Sequence, residues 1–128
     1  MSRAITFPAW ANGEYISAER ILRNLREHLE GLKFSFRIDE AQVGIDPNWV
    51  DSINGCRNLT VDEAINSLHP DIQVVDGEIS SNEDGEFIFR MVAVDSTSWD
   101  IVTNLHEIYD LTTKLYPDSL DVTEQYFL

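Results

Sequence analysis

The run Glu86-Phe87-Ile88-Phe89-Arg90-Met91-Val92-Ala93-Val94 leaves little freedom in what this chain can fold into. In an extended strand Phe87, Phe89, Met91 and Ala93 share one face, and Ile88, Val92 and Val94 share the other. Both faces are largely apolar, so the strand is expected at the centre of a sheet. Beyond Asp95-Ser96, the group Thr97-Ser98-Trp99-Asp100 offers a hydroxyl N-cap and early negative charge. Ile101, Leu105, Ile108 and Leu115 then recur at helical spacing, with Val102 and Tyr109 beside them. A central strand feeding a long amphipathic helix that runs to Tyr116 is therefore predicted, and everything else has to pack around that pair.

The remaining segments supply the partners. Ala4-Ile5-Thr6-Phe7 reads as a short strand in which Pro8 permits only an edge or a strand end. Asn12-Gly13 suits a tight turn with positive φ. Ser17 caps a helix whose Ala18, Ile21, Leu22, Leu25, Leu29 and Leu32 keep helical spacing, with Gly31 as its C-cap. Its wet face carries Glu19 with Arg23, Arg23 with Glu27, and Arg26 with Glu30, which gives those arginines local partners. Lys33 to Asp39 alternates strictly and predicts a strand buried on its Phe34, Phe36 and Ile38 side. Asp46-Pro47 opens one short helix around Trp49, Val50 and Ile53. Thr60-Val61-Asp62-Glu63 is a capping box for a second, carrying Ala64, Ile65 and Leu68 and stopped by Pro70. Ile72 to Val75 is a further strand, continuing past Gly77 toward Ile79, and Ser80 to Gly85 is a hairpin tip leading into the central strand. Leu120 to Leu128 alternates imperfectly, as a last strand or as a tail laid over the core.

The predicted fold is therefore α+β. A mostly antiparallel or mixed sheet of four to five strands carries two long amphipathic helices on one face and two short helices inserted mid-chain, an economical version being a ferredoxin-like plan with an insertion. A length of 128 residues fits one domain, and 43% apolar residues supply a core without disulfides or a structural metal. Nothing opens the chain as a basic region followed by a long apolar stretch, which argues against a signal peptide, and no apolar run is long enough to span a membrane. The single cysteine, Cys56, cannot form an intramolecular disulfide and suits a reducing compartment, so the cytoplasm is the expected location. The sequon Asn58-Leu59-Thr60 has no secretory signal to accompany it.

Several chemistries lack their residues. Neither of the Gly-rich phosphate-binding patterns is present. His28, His69 and His106 stand alone in sequence, so a zinc site would need three distant segments to converge. Ser80, Asn82, Asp84 and Gly85 imitate the first half of a calcium loop, but Met91 stands where the bidentate Glu belongs, and a tight Asp-Gly turn accounts for them. Neither metal nor cofactor is expected. Cys56, between Gly55 and Arg57 and just before a helix start, is the best nucleophile candidate, with small-enzyme chemistry as one reading of the chain; packing is the competing role for a lone cysteine.

Charge is the most informative feature. Residues 1–37 hold six of the nine Lys and Arg against four acids, whereas residues 38–128 hold three against nineteen, and the whole chain carries −14. Such a field repels phosphates, which argues against direct binding to nucleic acid or an anionic membrane, and favours fast association with a basic protein. Candidate contact residues are the carboxylates of the 76–86 hairpin, Asp76, Glu78, Glu83, Asp84 and Glu86, and the wet face of the predicted long helix. That face presents Asp100, Asn104, Glu107 and Asp110 beside Trp99 and Tyr109, carboxylates for steering and rings for anchoring. His106 and Asp110, four apart, are also placed to pair. In size, acidity and poverty of motifs the chain is similar to immunity proteins of bacterial toxin systems and to phage-encoded DNA mimics, a likeness of composition alone. It implies an inhibitor of a nuclease-type toxin or DNA-binding protein that acts by steric and electrostatic blockade. A structural or adaptor subunit of a larger assembly is the alternative, and a sheet edge that pairs with a second copy would make a homodimer.

Overall fold

Two mirror-image turns fix the sheet. Asp84 and Gly85 sit at φ 53° and 83°, and Asp95 and Ser96 at 51° and 58°, the positive values at both central positions that match the right-handed twist of the flanking strands. The first returns β5 (Gln73–Glu83) onto β6 (Glu86–Val94), and the second returns β6 onto β7 (Ser98–Thr103). The computed structural model describes residues 1–44, 46–69 and 72–127; Pro70 and Leu128, read above as a helix stop and a chain end, lie outside the described residues.

β7 corrects the expected long helix. The Thr97 amide and hydroxyl both donate to the Val94 carbonyl, each at 2.9 Å, so the presumed N-cap is used up inside the turn. Trp99, Ile101, Val102 and Thr103 are aromatic or β-branched and suit a pleated surface. β7 is then hydrogen-bonded on both edges, to β6 and to β1 (Arg3–Pro8). The helix α4 begins only at His106 and runs to Leu115, after the Thr103 hydroxyl accepts from the Leu105 amide at 3.0 Å.

With a third hairpin strand in place of a helix, the ferredoxin-like plan is excluded. The strands lie in the order β4 (Ser35–Gln42), β5, β6, β7, β1 and β8 (Leu120–Asp121), and every pairing is antiparallel. β6 is interior, as its two apolar faces required. β1 is interior too, because β8 covers two of its residues, and Pro8 sits at its end. A separate two-stranded ribbon pairs β2 (Trp10–Ala11) with β3 (Glu14–Tyr15) around the expected Asn12-Gly13 turn. β5 continues through Gly77, where a Cβ would lie 2.8 Å from the Arg37 carbonyl oxygen and the Ile38 Cα of the adjacent strand, and the β4–β5 register shifts beside it.

Helices cover one face. α1 (Ala18–Leu29) is capped by the Ser17 hydroxyl, which accepts from the Arg20 amide at 3.1 Å, and buries Ala18, Ile21, Leu22, Leu25 and Leu29. α4 lies against α1 and adds Ile108, Tyr109 and Thr112. α2 (Trp49–Asn54) and α3 (Val61–Asn66) fill the insertion, and α3 carries the expected reciprocal Thr60–Glu63 cap. These helices and the inward rows of the sheet form one apolar cluster. The Asn54 amide both donates to and accepts from the backbone of Ile38, at 2.8 and 2.7 Å, and so seals part of the β4 edge with a side chain. On the opposite face, α5 (Thr123–Phe127) packs beside β1, with the Thr123 hydroxyl accepting from the Ala4 amide and the Tyr126 hydroxyl donating to Asp100 of β7. No helix among the described residues is long and apolar enough to cross a membrane.

Trp99 sits 1% exposed in the core, its indole N–H donating to the Ile16 carbonyl at 2.8 Å. Trp99→Ala is expected to cost about 3–5 kcal/mol in urea unfolding, whereas truncating an exposed helical tryptophan would change stability by less than about 0.5 kcal/mol.

Candidate binding surface

The sheet face opposite α1 and α4 carries the charged residues, and its register explains how they meet. Arg37, Glu78, Val92, Asp100 and Thr6 form one cross-strand row; Ser35, Ser80, Arg90, Val102 and Ala4 form the next. Glu78 stands directly opposite Arg37 and diagonal to Arg90, both distances over which charged side chains interact. Its Oε2 accepts from Arg90 Nε at 2.8 Å and its Oε1 lies 2.8 Å from Arg37 Nη2 in an ion pair, and the residue is only 7% exposed. Glu78 is thus an internal counter-ion for two arginines, not the free contact carboxylate expected from sequence.

The other acids of the 76–86 hairpin separate. Asp76 lies opposite Glu40, and its carboxylate accepts from the Asp95 amide at 3.1 Å. At about 3.3 Å per residue, the strand carries Glu83 roughly 23 Å away from it. Glu83, Asp84 and Glu86 stay together, exposed around the tight turn, and none has an ion-pair partner among the described residues. Asn104 is exposed just after β7 and shares a groove with Glu86.

The expected helical face is dispersed. Asp100 belongs to β7 on the outer sheet face, where its carboxylate accepts from the Tyr126 hydroxyl; burial, and then this hydrogen bond, pushes the Tyr126 phenol above its ordinary range. Trp99 points the opposite way, into the core, and cannot anchor a partner. Tyr109 is buried as well, with the Arg3 guanidinium 3.6 Å from its ring centre and its hydroxyl donating to Asp121. Glu107 and Asp110 are on α4, Glu107 exposed and Asp110 half-buried, with Asp110 3.1 Å from His106 Nε2 as their spacing implied.

Cys56 is half-buried, its thiol directed at the Ser52 carbonyl oxygen at 3.5 Å. The neighbouring Arg57 guanidinium donates to the carbonyls of Asn54 and Cys56 and not to the thiol. Among the described residues no group of three or more His, Cys, Asp or Glu is placed to hold a metal ion.

Sequence reasoning missed Phe87. Alternation assigns it to the core face with Phe89, but the β5–β6 register shifts between Ser81 and Asn82, and this bulge turns Phe87 outward beside Arg90. Phe87 then borders a groove of about 330 Å³ whose walls include Glu86, Arg90, Val102, Asn104 and Phe127. The polar-rich tip gave no local signal for a bulge, since either register closes the same Asp-Gly turn.

Glu78→Ala would leave two arginines facing each other without a counter-ion, and a loss of about 2–3 kcal/mol is expected in urea unfolding, discounted for the exposure of Arg37. The same truncation at Glu83 should change stability by less than about 0.5 kcal/mol. Asp121 is held below its ordinary carboxylate pKa, first by the Tyr109 hydroxyl and then by the Thr123 amide. The stability it contributes is present above its unfolded-state pKa and is lost as pH falls through the folded-state value. Tyr109→Phe should therefore raise the Asp121 pKa, read by NMR titration of its carboxylate carbon, and shift the onset of acid unfolding upward in pH.

Compared with known protein families, curated proteins and solved structures, the chain matches none.

Proposed function

We propose that this chain is an acidic binding protein that docks on a basic protein partner through the tip of its β5–β6 hairpin and blocks that partner by steric and electrostatic means. One observation carries the reading. Among the described residues, five of the nine Lys and Arg, namely Arg3, Arg23, Arg26, Arg37 and Arg90, are engaged in ion pairs, while Glu83, Asp84 and Glu86 project into solvent without one. Unpaired carboxylates at the end of a hairpin steer cations and repel phosphates. A protein that handles nucleic acid, such as a nuclease-type toxin or a DNA-binding protein, presents the matching surface, because its own cations are arranged to hold phosphates. A structural or adaptor subunit is the second reading, and salt separates the two.

The test is the triple substitution Glu83→Gln, Asp84→Asn, Glu86→Gln. It removes three charges and keeps the turn, since Asn-Gly suits positive φ at both central positions. Immobilised wild-type protein is expected to retain a basic protein from its source lysate at low salt and release it at high salt, and the purified pair should associate about tenfold faster than the triple variant does. Retention that survives high salt and ignores the triple substitution would favour the adaptor reading and remove this one.

A further inference from the structure

We infer that the groove beside the hairpin tip takes one apolar side chain of an extended, Lys/Arg-rich segment of the partner, flanked by Phe87 and Phe127, while the tip carboxylates meet the cations on either side. The inference rests on the acidic-tip reading above and adds the anchor.

Phe87 and Phe127 are 45% and 53% exposed, whereas the other four phenylalanines, Phe7, Phe34, Phe36 and Phe89, are 0–3% exposed. Both exposed rings border the same groove. Phe87 reaches it through the bulge at Ser81/Asn82, without which it would share the core face with Phe89. Once outside, the ring is held: the Arg90 guanidinium lies 4.7 Å from its centre and is itself fixed on Glu78 at 2.8 Å. A large apolar ring kept in water and braced from one side is pre-organised for contact, so little ordering cost remains for binding. The buried Val102 adds an apolar wall, and about 330 Å³ suits a side chain and the backbone that carries it.

Charge selects the segment around the anchor. Glu86 is on the groove wall, and Glu83 and Asp84 are in the adjoining turn. Arg90, the one cation among the described residues that line the groove, is engaged by Glu78, which it shares with Arg37. An apolar residue between Lys or Arg therefore meets complementary potential, whereas the same residue between Asp or Glu is repelled.

The experiment measures fluorescence anisotropy with three short labelled peptides on the full chain: a Lys/Arg-rich peptide with one central Leu, the same peptide with Gly in its place, and a Glu-rich peptide with the central Leu. The basic Leu peptide is expected to bind about tenfold tighter than its Gly counterpart. Phe87→Ser with Phe127→Ser should abolish that advantage and leave the weaker, salt-dependent binding, with urea unfolding unchanged because both rings are exposed. The charge-removing triple substitution at the tip should weaken both basic peptides equally. Equal binding of the Leu and Gly peptides, or an advantage that survives the double serine variant, overturns the anchor while leaving the acidic tip in place. Basic peptides that bind no better than the acidic one overturn the acidic-tip reading and the anchor with it.

Discussion

Five side chains in one row, Phe36, Ile79, Met91, Ile101 and Ile5, cross five neighbouring strands on the helix-covered face, and the two layers depend on them. Burying each contributes roughly 1.5–3 kcal/mol relative to exposure. More important is the register they impose. A slip of one residue along any of these strands would turn its share of the row to solvent and bring the charged row behind it into the core. The positions of Glu78 between two arginines, of Asp100 beneath Tyr126, and of the acidic turn at the far end of β5 and β6 all follow from that register.

The same constraint explains how a chain of net charge −14 tolerates its own repulsion. The scarce cations are spent where strands and helices bring acids close. Arg26 bridges α1 to Asp62 of α3 at 2.7 Å, Arg3 reaches Asp121 of β8 at 3.5 Å, and Arg37 and Arg90 share Glu78. Carboxylates left over gather at opposite ends of the long hairpin, Asp76 with Glu40 and Asp95 at one, and Glu83, Asp84 and Glu86 at the other. Separation of about seven residues along a strand exceeds a Debye length at physiological salt, roughly 8 Å, so the two groups set up separate fields.

At the turn end, the bulge between β5 and β6 puts an aromatic ring outside. An apolar run as regular as Glu86 to Val94 would by alternation bury Phe87, and the extra residue in β6 reverses that single side chain without disturbing Phe89, Met91 or Ala93. The stack on Arg90 links the exposed ring to Glu78 and so to the register of the whole sheet. An exposed aromatic ring and a charged turn thereby occupy one end of one hairpin, the juxtaposition on which the proposed binding role rests.

By itself the sequence determined what short-range bonding decides. The Ser17 cap and the apolar stripe of α1, the Thr60–Glu63 capping box, and the Asn12-Gly13 and Asp84-Gly85 turns depend on φ preferences and hydrogen bonds within a few residues, and each was readable. The α+β class and the interior place of β6 followed from periodicity. Tertiary structure alone decided the segment from Ser98 to Thr103, where Ile101, Leu105 and Ile108 fit a helical period while Trp99, Ile101 and Thr103 fit a strand. The choice fell to β1, nearly a hundred residues earlier, whose ladder from Arg3↔Thr103 to Pro8↔Ser98 satisfies the second edge of β7. That pairing buried Trp99, moved Asp100 to the other face and dissolved the expected acidic helix; the bulge exposed Phe87. Such outcomes depend on which distant backbone groups and side chains come into register, and local spacing carries no record of that.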